Sequence, residues 1–293
     1  MAGSMTRRRP AVAGYFYPAG RRELISLIED CFRHEHGPGR LPPAGVESPL
    51  VALISPHAGY IYSGPVAAHG YLLASGLRDV DTYVVVGPNH YGYGNPLAVY
   101  PPGYWTTPLG DVEIDTQLTE RLMKRHGALY PDVEAHAREH SIEVQIPFLQ
   151  YIRGGGLKLL PICMGIQDMD AAVELGRALA DVVRDWPRRA LLIASTDFTH
   201  YEPHEAAKSK DLAQVQHILR MDVKAHYAHL YERDVSMCGY GPTAVIMEAA
   251  RRLGATRAEL LKYATSGDTS GNRDSVVGYA SIAFYREGPA PQG

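Results

Sequence analysis

The chain runs to 293 residues, 45% of them hydrophobic and 21% charged, with a formal net charge of −3 at pH 7. That composition builds a packed core rather than a disordered chain, no apolar run approaches the ~18 residues that cross a bilayer, and no basic field exists to neutralise nucleic-acid phosphates. Three cysteines, Cys31, Cys163 and Cys238, are odd in number, widely spaced and without a C-x-x-C pair, which points to a reducing cytoplasm rather than a disulfide scaffold.

Met1 to Met5 reads as a cloning remnant and residues 287–293 as a flexible tail, leaving 10–286 as one domain, since no repeat or low-complexity linker divides it. Arg21 to His36 carries apolar residues at helical spacing (Leu24, Leu27, Ile28, Cys31, Phe32), which makes Cys31 a core residue. A Pro/Gly-rich loop from Arg40 to Pro49 precedes a buried strand, Leu50–Ile54. A helix from Pro65 to Leu77, with the proline in its first turn, then leads to a second buried strand, Thr82–Val86. Leu97–Tyr100 is read as a strand followed by a Pro/Gly loop, Asp115–His126 as a helix, and Ser141 as the cap of a helix that Pro147 kinks or restarts. Strands at Leu157–Cys163 and Ala190–Ala194 flank a helix at Asp168–Val183. A long helical region from His204 to Leu230, a helix at Pro242–Leu253 and strands near Leu260–Ala264 and Val276–Tyr285 complete the chain. Strands alternating with helices predict an α/β fold with a mostly parallel or mixed central sheet flanked by helices.

Three of the buried strands run into chemistry-bearing loops: Ser55-Pro-His57-Ala-Gly-Tyr60, Gly87-Pro-Asn-His90-Tyr91, and Ser195-Thr-Asp197-Phe-Thr-His200. Ligands of open α/β sheets bind outside the carboxyl ends of the strands, so these loops are expected to meet, with His57 and His90 at the ends of neighbouring strands. Each histidine alone is an ordinary surface or packing residue; their coincidence is what points to chemistry. Glu139-His140-Ser-Ile-Glu143 opens a helix, where the carboxylates could simply favour the positive end of the dipole. Ser236-Met-Cys238-Gly-Tyr-Gly-Pro242 would hold a thiol near a helix N-terminus, which favours thiolate, although a buried, inert cysteine is the usual case and the default reading. The remaining histidines, among them His126, His136, His204 and His226, carry no motif and read mostly as surface residues.

Two chemistries suit this set. Cys238 with a histidine can form a nucleophile–base pair, Asp197 orienting the imidazole. Alternatively His57, His90 and Cys238 bind a transition metal, with Asp197, His200 and His140 handling protons in the pocket. Two histidines from adjacent strand ends suit the metal better, and imidazole with thiolate favours Fe(II), Cu or Zn over Mg or Ca. Nothing in the spacing chooses among the three. The chain has no Fe–S cysteine cluster, no Walker loop and no dinucleotide fingerprint, so neither an Fe–S cofactor nor a nucleotide is expected.

Seven blocks in order, Ala11–Pro18, Pro56-His-Ala-Gly-Tyr60, Gly87-Pro-Asn-His90, Glu139–Glu143, Asp197-Phe-Thr-His200, Cys238-Gly-Tyr-Gly-Pro242 and Gly267-Asp-Thr-Ser270, resemble the Memo family, whose microbial members are called AmmeMemoRadiSam system protein B. The resemblance spans about Pro10 to Tyr285. It implies a fold like the class III extradiol (LigB-type) dioxygenases, which are non-haem iron enzymes. It also implies that His57, His90 and Cys238 occupy the family's metal-site positions, with Asp197 and His200 lining the same pocket and His200 lying where the dioxygenases keep a catalytic histidine. Cys238 departs from those enzymes, which use a carboxylate there, so ring cleavage does not carry over. The expected function is a metal-binding, redox or oxygen-handling protein acting on a small molecule or peptide; the alternative is a non-catalytic scaffold that holds a protein partner in the same cleft. The family name further implies a pathway shared with a radical SAM enzyme.

Overall fold

The computed structural model describes residues 5–42, 49–77 and 79–286. All but Met5 of the expected cloning remnant, the 287–293 tail and the middle of the 40–49 loop lie outside the described residues. In chain order the elements are β1 (Thr6–Arg8), α1 (Arg21–Arg33), β2 (Leu50–Ser55), α2 (Tyr60–Ala74), β3 (Val80–Pro88), β4 (Leu97–Val99), β5 (Gly103–Thr107), β6 (Gly110–Ile114), α3 (Thr116–Arg125), β7 (Tyr130–Pro131) and α4 (Glu134–Ala137). A 3-10 turn (Glu143–Gln145) precedes α5 (Ile146–Arg153), β8 (Lys158–Met164), α6 (Met169–Arg184), β9 (Arg189–Ser195), β10 (His200–Glu202), α7 (His204–Leu219), α8 (Val223–Glu232), α9 (Tyr240–Arg252), β11 (Ala255–Thr265), α10 (Ser266–Ser270) and β12 (Val276–Arg286).

The strands form one sheet in the order β1-β5-β6-β8-β3-β9-β2-β12-β10, with β11 paired to β12 and β4 to β8. Its centre, β8-β3-β9-β2, is parallel, and β12 runs antiparallel to β2, so this is an α/β fold with a mixed, largely parallel sheet. Helices cover both faces, which is why the central strands are apolar along their length rather than alternating. Successive side chains point to opposite faces. Val84 and Val86 of β3 join α3, α6 and α9 in one core, and Tyr83 and Val85 join α1, α2 and α5 in the other. Cys31 and Cys163 are free and buried in the second core, as the helical spacing predicted for Cys31. Among the described residues, no helix is long and apolar enough to cross a membrane.

Several expectations are corrected. Helix α2 begins at Tyr60, not Pro65, so the proline sits inside it. Eleven of its 15 residues are buried, so it has no polar face from which periodicity could be read, and packing overrides the weak propensity of Tyr60–Gly64. Ser141 caps nothing; its hydroxyl donates to the Pro88 carbonyl at 2.9 Å, and Pro147 restarts the chain as α5 in that helix's first turn. The His204–Leu230 region is two helices, broken where Met221 takes a left-handed φ of 53°. The expected loop after β4 contains the β5–β6 hairpin. The histidines without motifs are not mostly surface: His126, His136, His204 and His226 are all buried. His204 Nδ1 meets Thr265 Oγ1 at 2.8 Å, His226 Nε2 meets the Tyr240 carbonyl at 3.0 Å, and His136 is edged by the Tyr100 and Trp105 rings.

The N-terminal segment is locked down by charge. Arg8 is buried against Glu143, donates to the His136 carbonyl at 3.1 Å and the Glu139 carbonyl at 2.6 Å, and stacks over Trp105. Glu143 also accepts from the Ala11 and Val12 amides and the Tyr17 hydroxyl. One carboxylate therefore fastens residues 8–17 to the turn that follows Glu139 and His140.

Candidate metal centre

His57 follows β2 and His90 follows β3, but β9 lies between those strands, so the two histidines do not come from neighbours. They meet over the end of β9, whose last residue is Ser195 and whose continuation supplies Asp197 and His200. The His57 ring is buried, with Nδ1 2.9 Å from Ser195 Oγ and Nε2 3.3 Å from Cys238 Sγ. Burial, and then its histidine neighbours His90, His140 and His200, push its pKa well below the usual imidazole value, so the ring is neutral.

His90 is fastened by Glu139, which accepts from the His90 amide at 2.6 Å and from Nδ1 at 2.9 Å. The same carboxylate accepts the main-chain amides of His140 and Ser141, each at 2.8 Å. Burial alone would raise its pKa, but the His90 hydrogen bond, the His90 and His140 charges and the Ser141 amide outweigh that and hold it at about 2. An ionised carboxylate only accepts, so His90 Nδ1 carries a proton and its Nε2 keeps the lone pair when the ring is neutral. His140 stacks on His90 with ring centres 4.5 Å apart and planes 24° from parallel, while His57 stands nearly perpendicular to both. Burial lowers His140 to about 4, and its Nδ1 is buried without a hydrogen-bond partner. One donor atom from each of His57, His90 and His140 lies within 4.8 Å of the others, so these three form a group that can hold a metal ion.

Cys238 approaches from the loop before α9. The loop packs so closely that a Cβ on Gly239 would fall 2.5 Å from the Ser195 carbonyl oxygen. Sγ accepts the Asp197 amide at 3.2 Å. The expected thiolate is not what the surrounding residues favour: burial first, then the Asp197 carboxylate, raises the thiol pKa against the hydrogen bonds of the Asp197 amide and Thr196. Among the described residues, Cys238 does not join the mutually close donor group, although it touches His57. Asp197 does not orient an imidazole, as a catalytic triad requires; its carboxylate takes the His57 main-chain amide at 2.8 Å, and Ser195 takes Nδ1 instead. Burial pushes Asp197 up to about 6 against the pull of that amide and of the His200 charge. His200 faces the Ser236 carbonyl through Nδ1 at 2.8 Å. Thus His140 joins the donor cluster directly, while Asp197 and His200 lie beside it.

The model of the Memo-like protein family matches residues 8–283. A MEMO1 family protein of Methanopyrus kandleri is 50% identical over 282 residues, covering 95% of this chain and 99% of that protein. One from Pyrobaculum aerophilum is 46% identical, covering 96% of this chain and all of that protein. The chain belongs to the Memo-like family. A solved structure of an uncharacterized protein from Escherichia coli K12 is similar with a TM-score of 0.52 at 15% identity, covering 80% of this chain and 99% of that one. That likeness shows the fold alone. These relatives' names carry no activity, so the chemistry of the Memo-like pocket has to be read from its side chains.

The residues that sequence reasoning passed over are those behind the donors: Glu139 as the holder of His90 rather than a helix-end charge, and Ser195 and Gln145 behind His57. The one available signal was a polar Ser195 ending an otherwise apolar strand.

Proposed function

We propose that the pocket binds a redox-active transition metal, Fe(II) or Cu with Zn also accommodated, through His57, His90 and Cys238, and works as an oxygen-handling or redox protein of the cytoplasm. The observation that carries this reading is the cluster of three imidazoles, His57 buried, His140 half-buried and His90 open to solvent, whose donor atoms lie within 4.8 Å of one another beside a cysteine sulfur. Nitrogen and sulfur donors of this kind suit those metals and not Mg or Ca. Cys238 is taken over His140 as third ligand because it stands at the metal-site position that the Memo resemblance implies and brings the softer donor, while His140 completes the group of imidazole donors that lie within 4.8 Å of one another. The 3.3 Å from Cys238 Sγ to His57 Nε2 is also near the roughly 3.6 Å between a sulfur at ~2.3 Å and a nitrogen at ~2.1 Å from one tetrahedral ion.

The ion would supply Lewis acidity and one-electron exchange. The protein's residues do the rest. Glu139 holds His90; Asp197, raised to about 6, can take up and release a proton just below neutrality; and His200, fixed through Nδ1, presents its other nitrogen for proton transfer. A cavity of about 410 Å³ lined by Leu230, Tyr231, Met237, Cys238 and Tyr240, and by none of the histidines, reaches the site at Cys238 and is large enough for a small molecule or peptide. The Memo resemblance implies a fold like the LigB-type dioxygenases, from which an oxygen chemistry would follow, and the cysteine in place of a carboxylate sets ring cleavage aside. The radical SAM link is a pathway relationship within the same reading. Exposed Tyr91, Tyr201 and Tyr231 near the site favour the scaffold alternative, in which the cleft holds a protein partner.

Anaerobic reconstitution followed by elemental analysis tests the reading. The parent should hold about one ion per chain, from a single three-ligand site. His57→Ala should hold none, Cys238→Ser should bind weakly, and His140→Ala should bind like the parent. Equal binding by His57→Ala and the parent refutes the site.

A further inference from the structure

Behind His57, away from Cys238, lies a buried chain of polar side chains that ordinary solvation cannot explain. Ser195, Gln145, Tyr71 and Ser141 are all essentially inaccessible. Ser195 Oγ lies 2.5 Å from the Ser141 carbonyl, 2.7 Å from Gln145 Nε2 and 2.9 Å from His57 Nδ1. Gln145 Nε2 also reaches the Pro56 carbonyl at 2.9 Å, while its Oε1 accepts from the Tyr71 hydroxyl.

The protons in this chain can be assigned by elimination. A carbonyl only accepts, so the single hydroxyl proton of Ser195 goes to Ser141. The Gln145 amide cannot be flipped, because Oε1 would then face the Pro56 carbonyl, acceptor against acceptor. Its Nε2 therefore donates both to Pro56 and to Ser195. Ser195 Oγ, its one proton spent, can only accept from His57, so Nδ1 of that ring carries the hydrogen. Its Nε2 is left with the lone pair, pointing at Cys238 Sγ.

We propose that Ser195 and Gln145, braced by Tyr71, are positioning residues that fix His57 in the Nδ1–H tautomer and so present Nε2 as a ready donor. The use of that lone pair for a metal rests on the reading above, but the tautomer itself does not. The arrangement does for His57 what Glu139 does for His90, with a neutral relay in place of a carboxylate. Outer partners of this kind govern ligand orientation, and their loss typically weakens metal binding 10–100-fold.

The test is ¹⁵N NMR of the imidazoles in the metal-free protein, joined to calorimetric titration with Zn(II) as the probe ion. The parent should show His57 protonated at Nδ1. Ser195→Ala should shift the ring toward the Nε2–H form and weaken Zn(II) binding about 10–100-fold. Gln145→Met, which frees the Ser195 hydroxyl without removing it, should give a smaller change in the same direction. A parent ring protonated at Nε2 overturns the proposal and needs no variant to show it; so does a folded Ser195→Ala that keeps both tautomer and affinity. If the tautomer shifts as expected but the parent binds no Zn(II), the positioning role stands and the metal reading falls.

Discussion

Replacing Glu143 with glutamine should unfold the protein at a markedly lower temperature although only one atom changes. Oε2 accepts from Arg8 and from the Ala11 amide at 2.8 Å, and Oε1 accepts from the Val12 amide at 3.1 Å and the Tyr17 hydroxyl at 2.5 Å. Whichever way a glutamine amide is turned, its NH₂ faces a donor that cannot accept: Arg8 and the Ala11 amide on one side, or the Val12 amide on the other, where only the Tyr17 hydroxyl can turn to accept. Arg8, with a side chain only 1% exposed, also loses its counter-charge. Removing one partner of a buried pair costs about 3–5 kcal/mol. At roughly 2–4 °C per kcal/mol for a chain of this class, Tm should fall by roughly 6–20 °C. Circular-dichroism melting of the parent, Glu143→Gln and the Arg8→Met/Glu143→Met double variant measures it, the double variant recovering most of the loss because no charge is left stranded. A Glu143→Gln melt within about 2 °C of the parent, roughly 1 kcal/mol or less, would show that the clamp does not hold the N-terminal segment.

Other outcomes follow from the same structure. Glu139→Gln should weaken metal binding about 10–100-fold by loosening His90, measured by titration; unchanged affinity would mean that His90 needs no holder. Burial, with the Arg8 charge, lowers His136 to about 3. Its neutral form therefore stabilises the fold fully above about 6.5, and that contribution, at most on the order of 5 kcal/mol, is lost as pH falls toward 3. His136→Leu should flatten the acid limb of urea-unfolding stability, and an unchanged slope would contradict the assignment. Asp211 has the opposite sign: burial, against hydrogen bonds from Thr199 and Tyr263, raises it to about 6. Its stabilising protonated form is complete below about 3.8 and lost as pH rises through 6, a loss of at most about 3 kcal/mol that Asp211→Asn should abolish between about pH 4 and 6. Gly239→Ala, forced against the Ser195 carbonyl, should displace Cys238 and destabilise by about 1–3 kcal/mol; a crystal structure with Cys238 unmoved would disprove this.

The parts of the molecule legible in sequence were those governed by local rules. Apolar runs gave β2, β3, β8 and β9, and helical spacing gave α1 and α6, because burial on one or two faces writes itself into periodicity. The loops bearing His57, His90, Asp197 and His200 were legible for the same reason, since each follows a recognisable strand. Strand order was not. The placement of β9 between β2 and β3 is set by contacts far apart in the chain, and it decides that Ser195 and Asp197 sit between the two histidines. Nor could spacing show that His140 would stack on His90, or that Glu139 would turn inward to four donors rather than outward toward solvent. His136 and His226 were misjudged because a histidine's burial depends on partners such as Trp105 or Gln214 that nothing in its own neighbourhood announces.

The place of β12 has a consequence for how the protein comes into being. It pairs with β2, Ile282 opposite Ile54, and the other neighbour of β2 is β9. The strand that carries His57 is thus among the first synthesised, while both of its neighbours emerge much later. Until they do, Leu50–Ser55 is an apolar ribbon with two open edges, the kind of segment that recruits wrong partners on the ribosome or on a chaperone. Such long-range pairing is slow to form. The pocket can be assembled only after nearly the whole chain has been released, so any ion it takes up would enter the finished protein, and truncation near the C-terminus should disable a site to which the missing residues contribute no donor.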